Sequence, residues 1–239
     1  MFVYLLFAAI AYLILPATYT QYSVFLGWVG LSLLTGFFHE DGLADTADSL
    51  GVSKFDSGPS LEKIHSTFKD PRLGTFGVSA LVLFWLSRYS LSQNSLFSPV
   101  LCAFVCLWSR ATSLGLGLYF YSRVPRSRSA RSSHVMQHVD GLRASIHLLA
   151  AVMVGMLFCF GLGAHVGELS WSLEKVSTAL LDLRVAFIAF LLPVVGAGLL
   201  LWLVVRRTEA LNGDLLGAAV CTSEMFIMIG LLLGIESLV

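Results

Sequence analysis

An all-α fold, a polytopic membrane bundle of about six to seven transmembrane helices, is the class this sequence predicts, and three observations predict it. Hydrophobic residues make up 56% of the 239 and charged residues only 13%, where a soluble domain carries about a quarter charged. Seven apolar runs punctuate the chain, most of them near the ~20 residues that a helix needs to cross hydrocarbon. The basic residues gather on alternate connections between those runs.

The runs are residues 2–15, 21–38, 75–91, 97–121, 143–164, 184–205 and 214–235. The first is short and lacks a basic leading region, so it reads as a marginal span or interfacial helix rather than a signal peptide. Together they leave one integral membrane domain over residues 1–239. A net charge of zero argues against a nucleic-acid partner. Cys102, Cys106, Cys159 and Cys221 all lie inside apolar runs without a CxxC pair, and read as small core residues. Residues 122–133, SRVPRSRSARSS, form a hydrophilic loop.

Lys54, Lys63, Lys69 and Arg72 fall between runs two and three. Arg123, Arg126, Arg128 and Arg131 fall between four and five, with Arg143 at the end of that connection, and Arg206 and Arg207 fall between six and seven. Basic loops stay in the cytoplasm, which makes 39–74, 122–142 and 206–213 cytoplasmic.

The polar chemistry concentrates where run two ends, in TGFFHEDGLADTADSLG, residues 35–51. Asp41, Asp45 and Asp48 are spaced i, i+4, i+7, which places them on one helical face. Like charges at that spacing repel. A solvated helix start, favoured by the helix dipole, accounts for one or two acids; three on one face beside a membrane point to a hard divalent cation. His39 could position a substrate, act as a base or cap the turn. In FKDPRLGTFG, Lys69 and Arg72 flank Asp70, and Gly74 leads into run three. Glycines, helix N-termini and arginine suit phosphate, although a basic turn beside the membrane has the same look. In LNGDLLGAAV, Gly213 and Gly217 flank Asp214, and Glu224 lies ten residues, about 15 Å, further along the helix. Arg110 sits inside run four. Ionisable groups at that depth line polar cavities or pair with each other, so an Arg110–Glu224 pair is expected.

HEDGLADTAD, KDPRLGTFG, the arginine within run four and NGDLLGAA with its later glutamate, taken in that order, resemble the cobalamin synthase (adenosylcobinamide-GDP ribazoletransferase) family from about Leu31 to the C-terminus. Glu40 stands where that pattern usually has an apolar residue, Pro71 where it has Ser, and Asn212 where it has Thr. The resemblance implies a Mg²⁺-dependent transferase. It would join α-ribazole or its 5′-phosphate to adenosylcobinamide-GDP, release GMP and complete adenosylcobalamin. It further implies Asp41, Asp45, Asp48 and Asp214 as metal ligands, and Asp48, His39 and Asp45 as the catalytic groups, with the choice of base open. Lys69, Asp70, Arg72, Gly74, Arg110, Gly213 and Glu224 would bind substrate. The setting would be the lipid bilayer of a bacterial or archaeal cytoplasmic membrane, with the active site facing the cytoplasm. Whether the chain forms a homo-oligomer stays open.

Two other classes fit parts of the pattern. A CDP-alcohol phosphotransferase also uses an Asp-Gly-x-x-Ala motif at a membrane surface, but with Ala-Arg where this chain reads DGLADTAD. A transporter would place several acids at mid-membrane depth, where only Glu224 is expected here.

Sidedness gives a first test. Single cysteines replacing Ser57 and Ser129 should resist an impermeant thiol reagent added to intact cells and react once the membrane is opened. Labelling of either from outside would overturn the topology.

Overall fold

The structure, a computed structural model, describes residues 2–16, 19, 22–55, 61–68, 70–94, 97–121, 146, 183–208 and 211–236. Those residues form helices α1 (Phe2–Ile14), α2 (Ser23–Leu34), α3 (Phe38–Phe55), α4 (Leu61–Thr67), α5 (Thr75–Ser92), α6 (Pro99–Tyr121), α7 (Leu183–Thr208) and α8 (Gly213–Glu236). Three windows, Leu101–Phe120, Leu191–Thr208 and Gly213–Leu233, are long and apolar enough to cross a membrane, while the apolar helices α1 and α2 are shorter. The loop expected at 122–142, the run at 143–164 and Cys159 lie outside the described residues.

Helices α1 and α2 form a hairpin whose contact face is glycine on aromatic. Gly27 and Gly30 leave room for the Tyr4 and Phe7 rings. The buried Tyr4 hydroxyl donates to the Val24 carbonyl at 3.1 Å, and its ring packs 4.9 Å from Trp28. The expected run 21–38 is not one helix. It breaks after Leu34, where Gly36 turns left-handed (φ +64°) and the Phe37 N–H donates back to the Ser32 carbonyl at 2.8 Å, a Schellman-type end. Phe37 is also left-handed (φ +57°), which costs an L-residue about 1–2 kcal/mol. Helix α3 starts at the next residue in a new direction.

Helix α8 is the hub, packed along α3, α6 and α7. Its crossing with α3 is nearly backbone on backbone. A Cβ on Gly217 would sit 3.1 Å from the His39 Cα and 3.2 Å from its carbonyl oxygen. One on Gly42 would sit 2.9 Å from the Asp214 Cα and closer still to its carbonyl oxygen. Around this crossing lie two apolar cores. One joins Tyr4, Trp28, Leu101, Trp108 and Met228; the other joins Leu116, Leu201, Leu211 and Leu215. Cys102, Cys106 and Cys221 are buried free thiols, as the sequence indicated. Helix α4 is tied to the end of α7 by His65, whose Nε2 donates to the Thr208 carbonyl at 2.7 Å.

The crossing makes a prediction about stability. Gly42→Ala should destabilise the protein in detergent by at least the ~1–3 kcal/mol of ordinary overpacking. Gly213→Ala, whose Cβ would meet only Phe38 Cζ at 3.7 Å, should be tolerated. Equal melting temperatures for the two variants would remove the crossing as a constraint.

Candidate active site

Helix α3 carries the acidic face as its spacing requires, but the structure divides its carboxylates into two sets. Asp48 turns toward α5. Its Oδ2 accepts the Gly74 N–H and its Oδ1 the Gly77 N–H, both at 2.8 Å. These are the cap and third-residue amides of α5, which has no side-chain cap of its own. Asp48 therefore caps that helix from 26 residues away, and a Cβ on Gly74 or Gly77 would collide with its carboxylate. The anion site that the sequence reserved for a phosphate at Gly74 is filled by the protein's own carboxylate.

Asp41, Asp45 and Asp214 make the second set. Gly42 on the Asp214 backbone brings α8 against this face of α3. Burial, then Asp41, then Asp214 and Asp48, push the Asp45 carboxyl from 3.8 up to about 6. Asp214 is not the cap of its helix. Asn212 is: its Oδ1 accepts the Leu215 N–H at 3.0 Å while its Nδ2 donates to Asp214 Oδ2 at 2.9 Å.

The donor chemistry of this second set fits a hard divalent cation: carboxylate oxygens from two helices, mutually repelling. As they stand, no three His, Cys, Asp or Glu side chains among the described residues converge closely enough to enclose an ion. Asp48 fits less well, because both its oxygens already accept backbone amides.

Between α3 and α5 opens a cavity of about 540 Å³. Its lining is both acidic, with Glu40, Asp41, Asp45 and Asp70, and aromatic, with Phe37 and Trp85, and includes Leu81 and Arg72. A second cavity of about 550 Å³ lies across the 70–74 segment, beside Asp48, Thr67 and Phe76. Arg72 lines both. Its guanidinium grips Asp70 through Nε (2.9 Å) and Nη2 (2.7 Å), and this grip holds the Asp70 carboxyl down at about 2. Arg72 is 86% exposed, so the pair is weak in water and a phosphate can compete for it. Lys69 lies outside the described residues.

Beside the crossing, His39 has a buried Nδ1 without a hydrogen-bond partner. Burial first, then the Arg110 charge, push its imidazole below its usual range. It is neutral at pH 7 and able to accept a proton. The Arg110–Glu224 pair forms as expected, with Nη1 donating to Oε1 at 3.0 Å. Glu224 is wholly buried and does not line the cavity; its other oxygen is taken by Arg88. Arg88 reaches on to Glu40 at 3.2 Å, and Ser32 donates to the same Glu40 oxygen. Trp28, Phe84 and Trp85 surround the Arg88 guanidinium within 4.9 Å. Arg88 was legible in the sequence, being an ionisable residue deep in run three, as Arg110 is in run four.

The Asp45 carboxyl gives a pH test. Raised in the folded state, it binds more protons there than in the unfolded chain between 3.8 and about 6. Stability therefore falls as pH rises through that window and stays low above it. In cation-free detergent, Asp45→Asn should melt above the wild type at about pH 7.5, with the gap shrinking by about pH 4.5. A variant that melts lower at the higher pH would show that Asp45 is not under like-charge strain.

The sequence model of the family described as Cobalamin-5-phosphate synthase matches residues 1–232. The chain is 32% identical over 219 residues to an adenosylcobinamide-GDP ribazoletransferase of Vibrio cholerae serotype O1, covering 89% of this chain and 72% of that one. It is 30% identical over 237 residues to the protein of that name from Albidiferax ferrireducens, covering 96% and 80%. To that of Bradyrhizobium diazoefficiens it is 32% identical over 202 residues, covering 83% and 65%. No solved structure matches.

Proposed function

The chain belongs to the cobalamin-5-phosphate synthase family, and we propose from this that it is a membrane-bound adenosylcobinamide-GDP ribazoletransferase using Mg²⁺. The oxygen nucleophile of α-ribazole, or of its 5′-phosphate, forms a bond to the cobinamide-side phosphorus. The bond between the two phosphates breaks, and GMP leaves with the electron pair. The observation that carries this reading is the carboxylate set of Asp41, Asp45 and Asp214 beside a cavity rimmed by Arg72. A diphosphate would be repelled by bare carboxylates; a bound divalent cation supplies charge neutralisation to the leaving phosphate.

The chain's own groups do the rest. Asp41 and Asp45 from α3 and Asp214 from α8 hold the cation. Arg72 exchanges Asp70 for a phosphate oxygen, with the fork geometry that suits it. Asp48 keeps the segment bearing Arg72 fixed to α3. His39, half-buried beside the α3–α8 crossing and held toward its neutral form, is the group assigned to take the nucleophile's proton. The active site faces the cytoplasm of a bacterial or archaeal cell, at the boundary of its cytoplasmic membrane.

Purified protein should release GMP from adenosylcobinamide-GDP when α-ribazole and Mg²⁺ are both present, and lose this on chelation. Asp214→Asn should cut that release by orders of magnitude without lowering the melting temperature in cation-free detergent, because Asn212 supplies the cap and a repelling charge is lost. Near-normal release by the variant would take Asp214 out of the cation site. No release by the wild type would refute the activity.

A further inference from the structure

We propose that the cavity between α3 and α5 is the seat of the guanosine half of the substrate, with its base edge read by Glu40. This rests on the functional reading above and adds to it which substrate half goes where.

The cavity has the right parts. Its volume of about 540 Å³ lies within the ~300–1,000 Å³ of sites that enclose a ligand of nucleotide size. Asp41, Asp45 and Arg72 line it and suit the phosphates. Aromatic rings line it too: those of Phe37 and Trp85 lie 6.5 Å apart at 62°. Phe37 reaches that position from a left-handed backbone, a strained conformation held by the Schellman turn. A planar base stacks on such rings whatever its identity.

Glu40 decides between bases. It lines the same cavity, is only 4% exposed, and has one oxygen taken by Ser32 and Arg88. The other, Oε2, is buried and accepts no hydrogen bond. A carboxylate oxygen left in that state is costly, and a ligand edge carrying N–H donors would satisfy it. Guanine presents such an edge, with N1–H and the N2 amino group together. The benzimidazole of α-ribazole, with both nitrogens either substituted or lone-pair bearing, presents none. In the second cavity Asp48 is already engaged by Gly74 and Gly77.

The test varies the ligand, which spares the buried Glu40 network. Leu81, on the cavity wall, is replaced by cysteine, and its alkylation by N-ethylmaleimide is timed in detergent with Mg²⁺; the described native cysteines are buried. GMP should slow alkylation. IMP, lacking the amino group, and AMP, lacking both donors, should need roughly tenfold or more higher concentration for equal protection. α-Ribazole 5′-phosphate should not protect. Equal protection by the three nucleotides, protection by α-ribazole 5′-phosphate in place of GMP, or no protection by any would each overturn the assignment. GMP release by the wild type is measured alongside. Turnover with no GMP protection overturns this assignment alone, whereas absence of turnover strikes the functional reading beneath it.

Discussion

The carboxylate cluster of this protein is placed by one close crossing, that of α3 over α8 at Gly42 and Gly217. Backbones can meet at this distance only where one of the two residues in contact lacks a side chain. Gly42 lies against the Asp214 backbone and Gly217 against that of His39, so the glycines sit next to the residues they position. Two carboxylates of α3 and one of α8 are thereby held within electrostatic reach, although 169 residues separate Asp45 from Asp214. The repulsion this creates is stored in the fold, since like charges that could move apart would do so. The crossing is backed on both flanks by apolar cores, which supply the burial that offsets it.

A second feature, inside the bundle, balances charge where water is scarce. Glu40, Arg88, Glu224 and Arg110 alternate in sign and join α3, α5, α8 and α6. The set carries no net charge, and each member has an opposite partner. Such a set rarely adds net stability over an apolar replacement, yet losing one member strands a buried charge. Its consequence is registry: the four helices that surround the catalytic end can settle only where these partners meet. Arg88 is further enclosed by Trp28, Phe84 and Trp85. Trp85 thus links this network to the cavity wall.

The sequence displayed the local half of this design and hid the long-range half. The i, i+4, i+7 spacing of Asp41, Asp45 and Asp48 showed a shared helical face, because that follows from helix geometry alone. It could not show that Asp48 caps α5, since the donors are amides 26 and 29 residues away and any residue type carries an amide. Gly74 and Gly77 looked like phosphate-binding glycines for the same reason. What they accommodate is a carboxylate, an anion of similar preference for helix N-termini. Hydropathy also ran past a break: 21–38 is continuously apolar, but Gly36 ends α2 and aims α3 elsewhere. The Arg110–Glu224 pair was legible because each is a lone charge in an apolar run. Arg88 gave the same signal.

Dividing the four aspartates into three and one also explains why the loop between α4 and α5 can be both polar and well placed. Residues 70–74 carry Asp70 and Arg72 between the two cavities. A short exposed segment of this kind has few apolar contacts to fix it. Asp48 supplies what is missing by binding the two amides at which the segment becomes helix, while Asp45, one turn before it, belongs to the cation set. One helix therefore presents two of the mutually repelling carboxylates and, three residues on, the anchor of the segment that carries Arg72. The acidic repeat that looks like a single ligand set is two devices: a repelling cluster shared with α8, and a cap that fixes the entry to α5.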